Sequence, residues 1–458
     1  MALTVPCPVF VAVAQRSATA AAFTEAALAA TWTTKPSCAP VAGAYGGTHL
    51  APARFAAKRA GAAAGEITAA SHAFALSLGR PWEPTSSATR CAPRENGGWH
   101  SPTVVGATHQ GPVPGNARIF LKNVGTVLRM DYRPIERKTG DFQQSMSAND
   151  ILAVSRAAFG AHTEVLSAIE LGDGYYNNTY RVDIGQDRPV ILRVAPEPSR
   201  QAQADPELMR NEYASVPYLT PVAGLLPRIL AVDFTHLVIG RDYLFQTLLD
   251  GTPAASALNS YPQWSHIAFY SDLGDITRTI HQVRGPGFGR VAGPTHERWS
   301  DALFCWFDRA AADLSRNGLE TDDIAKLIEV ADRNRALLDE ITEPRMLHGD
   351  LWVGNTMLAL DAPEPTITGV YDCDRTWWGD PEADWPIYLA LRKPGSERDA
   401  FWEGYGQVGQ TERARWRALV YEAKHATALL LEYKRFGLHE EIGNTYGEIR
   451  DLITRLAE

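Results

Sequence analysis

His348-Gly349-Asp350-Leu351-Trp352-Val353-Gly354-Asn355 is the densest run of reactive side chains in the chain. Asp372 follows seventeen positions after Asn355, at the end of the apolar run Ile367 to Tyr371. Phosphoryl transfer asks little covalent work of a protein. It needs a carboxylate to orient the attacking hydroxyl and accept its proton, and hard oxygen donors for Mg²⁺ on nucleotide phosphates. Asp350 has the type and place for the base. Asn355 and Asp372 suit the metal, because Mg²⁺ keeps several waters and takes one or two protein groups. His348 is expected to orient the loop rather than bind metal or relay protons. Asp374 stays open between a metal or substrate contact and a turn cap. Asp380 and Asp384 read as braces, through hydrogen bonds and a helix N-cap.

Two kinds of element must position these groups. Ile151 to Phe159 has apolar residues at helical spacing. Strands are expected over Glu164 to Leu171, Thr179 to Ile184 and Val190 to Val194, the first two joined by the Gly- and Asn-rich tip Gly172 to Asn178. A helix over Pro206 to Leu219 precedes strands at Arg228 to Val232, Leu237 to Ile239 and Tyr243 to Leu248. After Gly251 the period changes to that of helices: Trp264 to Val283, Trp299 to Asn317 and Asp322 to Ile341. A loop-and-strand region, Arg345 to Asp374, carries the reactive cluster. Glu382 to Leu391, Thr411 to Phe436 and Glu440 to Ala457 are again helical. The order predicts an α+β fold of two lobes, a small β-rich N-lobe over residues 146–251 and a larger helical C-lobe over 252–458.

The first 145 residues differ. They carry 14 Lys+Arg against 7 Asp+Glu, whereas residues 146–458 carry 30 against 46. About one-fifth of this segment is alanine, and no period is sustained in it beyond Ala21 to Ala30. Such a stretch cannot bury enough apolar surface to offset its chain entropy, so it is expected to be mostly disordered. A secretory signal fits poorly, since Met1 to Phe10 lacks a positive n-region. A transit-type peptide and an upstream extension of the reading frame, with the protein starting near Met146, both stay open. Met146 stands just before Ser147, a plausible helix cap. The whole chain has 458 residues and a net charge of −9, which argues against a nucleic-acid partner. No run of 18 apolar residues argues for a membrane span. The five cysteines form no CxxC pair, which favours reduced thiols and a cytoplasmic setting.

The run HGDLWVGN, with Val370-Tyr371-Asp372-Cys373-Asp374 and Gly379-Asp380-Pro381-Glu382-Ala383-Asp384, resembles the aminoglycoside phosphotransferase family, a branch of the protein-kinase-like superfamily. The five-position spacing of Asp350 and Asn355 is similar to that of the kinase catalytic loop. The resemblance runs from about residue 150 to the C-terminus. It implies a bilobal protein-kinase-like fold and a kinase of small-molecule hydroxyls that uses ATP or GTP with Mg²⁺. It places the family's base on Asp350, its asparagine on Asn355 and its metal aspartate on Asp372. Gly174-x-x-Asn177-x-Thr179-Tyr180 resembles the nucleotide loop. Arg193 falls where kinases carry a phosphate-contacting lysine, with Glu212 as its ion-pair partner. Gln246 to Gly251 resembles the hinge, where backbone groups near Thr247 and Leu249 would meet the base edge. Arginine for lysine is a departure, since its fork binds differently from an ammonium. An activation segment is absent, so a protein substrate is not expected.

The −16 balance of residues 146–458 favours an amine-bearing acceptor such as an aminoglycoside or amino sugar. The stretch HGDLW with Glu382-Ala383-Asp384, followed by Phe401-Trp402-Glu403-Gly404-Tyr405, is also similar to fructosamine kinases of the same superfamily, so a ketosamine or sugar acceptor stands as the alternative. The rival of another class is a catalytically silent nucleotide-binding module. A structural protein would leave the HGD-x4-N cluster unexplained. The oligomeric state is not legible.

Overall fold

The computed structural model describes residues 130–458 except 139–140, 173, 186–188 and 393–395. The expectation for residues 1–129 lies outside the described residues. Described residues between 130 and 145, which the boundary expected at Met146 leaves outside the first lobe, make contacts with it. There β1 (Asp131–Arg133) pairs in parallel with β2 (Ser167–Leu171). Polar side chains hold the segment after it. Glu170 of β2, buried, takes an ion pair from Arg137 at 2.6 Å and the hydroxyl of Ser145 at 2.8 Å. These contacts are polar and long-range, so no apolar period announces them.

The first lobe is a six-stranded sheet. Helix α1 (Ala148–Phe159) starts at a capping box made by Ser147 and Asp150. Strands β3 (Asn178–Asp183), β4 (Val190–Val194), β5 (Ile229–Asp233) and β6 (Tyr243–Thr247) complete the order β1-β2-β3-β4-β6-β5, antiparallel beyond β2. Ile151 and Val154 of α1 meet Ala168, Tyr180, Val182, Leu192 and Phe245 in one apolar core. Helix α2 (Leu208–Ser215) lies between β4 and β5 in sequence, with Met209 packed on Ala195 and Leu244. It is shorter than expected, because Pro217 cannot extend a helical ladder. The expected strand Leu237 to Ile239 is a turn between β5 and β6. Leu237 is 87% exposed there, and His236 and Gly240 adopt positive φ.

The second lobe is helical, with two small sheets set into it. Strand β7 (Thr252–Pro253) enters it, followed by α3 (His266–His281), β8 (Gly289–Arg290), α4 (Trp299–Arg316) and α5 (Asp322–Arg333). Strands β9 (Arg345–Leu347), β10 (Thr356–Leu358), β11 (Ile367–Val370) and β12 (Trp377–Gly379) come next. Helices α6 (Trp385–Arg392), α7 (Ser396–Tyr405), α8 (Glu412–Phe436) and α9 (His439–Ala457) close the chain. One sheet is ordered β11-β10-β7 and the other β8-β12-β9. The helix expected over Asp322 to Ile341 breaks at Asn334, which leaves the helical region at φ −115° and ψ 25°. Helix α7 was not anticipated. It crosses α3 so closely that a Cβ at Gly274 or Gly404 would fall about 2 Å from the other helix's carbonyl oxygens. Leu273, Ile276, Ile387 and Phe401 share the core under the reactive loop with Met346, Leu351 and Val370.

Candidate active site

The loop after β9 carries His348, Gly349 and Asp350, and one buried carboxylate fixes its backbone. Asp384 accepts the N–H groups of His348 at 2.9 Å, Gly349 at 2.7 Å and Trp385 at 2.8 Å. Its other partner is the ring of His281, at 2.9 Å, which meets the Tyr405 hydroxyl through its second nitrogen. Burial alone would raise the Asp384 carboxyl. The His281 hydrogen bond and the neighbouring imidazoles hold it below its ordinary value instead. Gly349 has φ +82°, and a Cβ there would sit 2.1 Å from the Arg375 carbonyl oxygen. Only glycine lets the loop turn against that strand-to-strand segment.

His348 is fully buried, and burial holds its imidazole neutral. Its Nδ1 accepts the Asp350 N–H at 3.3 Å and its Nε2 lies 3.4 Å from Cys373 Sγ. Both nitrogens are thus engaged inside the loop, as an orienting role requires. Asn355 donates its amide to the Asp350 carbonyl at 2.7 Å and to Asp350 Oδ2 at 3.1 Å. Desolvation raises the Asp350 carboxyl to about 7, with Arg375 opposing and Asp372 adding to the rise. A carboxylate tuned near neutrality is suited to general-base work.

Asp372 is brought beside this loop by β11. Tyr371 N–H donates to the Asn355 carbonyl at 3.1 Å, and the Tyr371 hydroxyl donates to the Gly354 carbonyl at 2.6 Å. Asp372 itself has φ +64°, uncommon for a residue with a side chain. Its carboxylate is ion-paired to Arg193, which also grips Glu212 at 2.5–2.7 Å and lies 3.7 Å from Asp374. Burial disfavours the Arg193 charge, but Glu212, Asp372 and Asp374 more than offset it, so the guanidinium stays firmly protonated. Oxygens of Glu212, Asp372 and Asp374 lie within 4.8 Å of one another. The buried Oδ1 of Asp374 has no hydrogen-bond partner among the described residues. Oxygen donors at this spacing, one of them unsatisfied, fit a hard cation such as Mg²⁺.

The remaining predicted residues frame the same cleft. Thr179 stands opposite Arg193 in the β3–β4 register, so the tip holding Gly174 and Asn177 projects just beyond the guanidinium strand. Gln143 props that tip, donating to the carbonyls of Gly174 at 3.1 Å and Asn177 at 2.8 Å. Thr247 ends β6, where its N–H donates to the Arg228 carbonyl at 2.9 Å. Leu249 approaches Gly369 of β11, where a Cβ would meet its Cδ1 at 2.9 Å. Gly251 has φ +115°, and a Cβ there would meet the Leu358 carbonyl at 2.3 Å, so the crossing between lobes demands glycine.

Three contributors escaped the sequence reading. Asn211 of α2 donates to the Asp374 and Thr376 carbonyls at 2.9 Å and accepts the Ala292 N–H at 2.8 Å, tethering Glu212's helix to the second lobe. Its one signal was adjacency to Glu212. Arg375 directly follows Asp374, and Gln143 lay in a stretch without periodicity. Asp380 braces as expected, accepting the Tyr421 hydroxyl at 2.7 Å and capping Pro381–Ala383.

A model of the phosphotransferase enzyme family (APH) matches residues 167–419, more than half of the chain. A probable ketoamine kinase of Vibrio vulnificus (strain CMCP6) is 23% identical over 288 residues, covering 60% of this chain and 89% of its own. Among solved structures, the aminoglycoside phosphotransferase APH(4)-Ia superposes with a TM-score of 0.49 at 15% identity, over 68% of this chain and 100% of its own. A GDP and kanamycin complex of APH(2″)-IIia gives 0.48 at 15% identity, over 68% and 99%. Among the described residues, no helix is long and apolar enough to cross a membrane.

Proposed function

Because the chain belongs to the phosphotransferase enzyme family, a family of small-molecule kinases, we propose that it moves the γ-phosphate of ATP or GTP, as the Mg²⁺ complex, to a hydroxyl of a small molecule, with Asp350 as the base. The observation that carries this reading is the setting of Asp350. A carboxylate raised to about 7 stands on a loop braced by Asp384 and contacts Asn355. A cluster of oxygen donors lies close by.

The roles follow from placement. Asp350 orients the acceptor hydroxyl and takes its proton as the oxygen attacks phosphorus. Asn355 spends its amide N–H groups on Asp350, which leaves its Oδ1 to face a cation. Asp372, Asp374 and Asn355 would hold Mg²⁺, which when bound offsets charge on the phosphate oxygens. Arg193, held by Glu212 and Asp372, would bring its positive charge beside the phosphates. Gly174 and Asn177 supply backbone N–H groups to the same phosphates from the tip. Leu249 offers an apolar floor for the base.

The acceptor is the open term. The acidity of residues 146–458 supports an amine-bearing molecule such as an amino sugar. The ketoamine kinase relative supports a ketosamine, a sugar that also carries an amine. The test is a nucleotide-consumption screen over aminoglycosides, amino sugars, ketosamines and amino alcohols. Mg²⁺-dependent ADP or GDP release that requires one acceptor class is the expected result. Tight nucleotide binding with no turnover on any acceptor would instead support a silent binding module.

A further inference from the structure

The charge of the second lobe as a whole is not the charge met next to Asp350. Arg375 feels the charges of Asp350 and Asp374. Its guanidinium lies 3.9 Å from Asp205 and 3.3 Å from Glu432. Lys424 of α8 holds its ammonium 4.6 Å from the Trp306 ring centroid and 5.2 Å from that of Trp377. Arg435, near the end of α8, lies 4.6 Å over Phe142 and 5.8 Å over Tyr176, and pairs with Glu432. Arg290 of β8 is 8% exposed, within the fields of Asp205 and Asp374.

Arg375 and Arg435 pair with Glu432 and Arg375 also with Asp205, whereas Lys424 and Arg290 form no ion pair among the described residues. The hydrogen-bonding capacity is also unfilled. Arg290 Nη2, Arg435 Nε and the Tyr176 hydroxyl are buried without a hydrogen-bond partner among the described residues. The Arg435 guanidinium lies 5.8 Å from the Tyr176 ring centroid, and buried donors without acceptors are costly, so this pair calls for an acceptor group. The walls still reach solvent: the side chains of Arg375, Glu432 and Arg435 keep 28%, 27% and 17% exposure. Burial also pulls the Lys424 ammonium below its ordinary value and the Arg435 guanidinium down to about 10, a cost that a bound anion would offset.

We infer that the acceptor carries an anionic oxygen group, carboxylate or phosphate, gripped by Arg375, Lys424 and Arg435. The orientation of that molecule toward Asp350 rests on the kinase reading; the binding of the anion does not. A ketosamine formed on an amino acid has both the sugar hydroxyls and the carboxylate this cleft suits. An aminoglycoside, cationic throughout, does not suit it.

The experiment separates the two readings. Matched pairs are titrated by calorimetry into the full chain without nucleotide: fructosyl-glycine against fructosyl-glycinamide and gluconate against gluconamide for the carboxylate, glucose 6-phosphate against glucose for the phosphate. In at least one pair the anion should bind about tenfold or more tighter, the scale of one charge-assisted hydrogen bond. The pair that shows the preference identifies which anion it is. Lys424→Met and Arg435→Gln should bring the two members of that pair to within about twofold. Lys424→Arg, which keeps the charge, should retain the preference and so guards against a mere folding defect. Equal or tighter binding of the uncharged member in every pair, or no binding by any anion, overturns the inference. ADP release is then measured with the same compounds. Anion preference without turnover would sink the kinase reading and leave the anion site standing.

Discussion

On one side of Asp350 three carboxylates, Glu212, Asp372 and Asp374, share the guanidinium of Arg193. On the other, Arg375 and Arg435 pair with Glu432 and Arg375 with Asp205, and Lys424 and Arg290 have no ion pair among the described residues. The first side lacks cations and suits Mg²⁺. The second lacks anions and suits an acidic acceptor. A lobe-wide balance of −16 hides this division, because charges outside the site outnumber those within it. Local complementarity, judged over a few ångströms in a poorly solvated cleft, is what a ligand meets.

The division can be broken at its centre. Asp350→Asn keeps the shape but cannot accept a proton, so turnover should fall about 10²–10⁴-fold with nucleotide affinity unchanged. Steady-state kinetics beside a nucleotide titration checks both halves, and a parallel loss of affinity would make Asp350 a brace instead. The next effect is on stability. A chain beginning at Met146 lacks Arg137 and Gln143, leaving Glu170 buried without its ion pair and the Gly174–Asn177 tip without its prop. Removing one partner of a buried pair costs about 3–5 kcal/mol. Denaturant midpoints of the two chains should differ accordingly, and equal midpoints would restore the boundary at Met146.

The acidic side is probed by Asp372→Asn. Nucleotide binding should then need about 10–100-fold more Mg²⁺, the scale reached even by groups one shell beyond a metal. An unaltered Mg²⁺ titration would remove Asp372 from the metal set. The smallest effect lies behind the basic side. Burial, with the Lys424 charge beside it, pushes His425 down to about 3, so it is neutral in the fold and donates to the Ala383 carbonyl at 3.0 Å. An unfolded histidine titrates near 6.5. The stability from keeping it neutral is thus full above about 6.5 and is lost progressively as pH falls toward 3, amounting to about 2 kcal/mol at pH 5. His425→Gln should show a smaller drop in Tm between pH 7 and pH 5 than the wild type. Identical drops would mean that His425 is solvated.

What the sequence made legible was whatever local pattern encodes. HGD-x4-N, Asp372, Arg193 and Glu212 stand in strong spacing or strand contexts, and the structure gathers them. Strands β3 and β4 and helices α4 and α8 follow plain periodicity. Contacts between distant segments were not legible. Gln143 reaches 31 and 34 positions along the chain to its carbonyls, and Asn211 reaches 163 to Asp374. The basic side draws Arg290 from β8, Arg375 from the turn after β11, and Lys424 and Arg435 from α8, so no one motif unites them. Leu237 to Ile239 misled in the other direction, since three apolar residues imitate a strand while the flanking positive φ values make a turn.

The central claim is that Asp350 delivers a small-molecule hydroxyl to the γ-phosphate. Mass spectrometry of acceptors incubated with the full chain and Mg²⁺–ATP tests it most directly. An acceptor should gain one phosphoryl group on a hydroxyl, mole for mole with ADP formed, and an Asp350→Asn chain that still binds ATP should give no such product. ADP formed without a phosphorylated acceptor, or the same product at the same rate from Asp350→Asn, would contradict it.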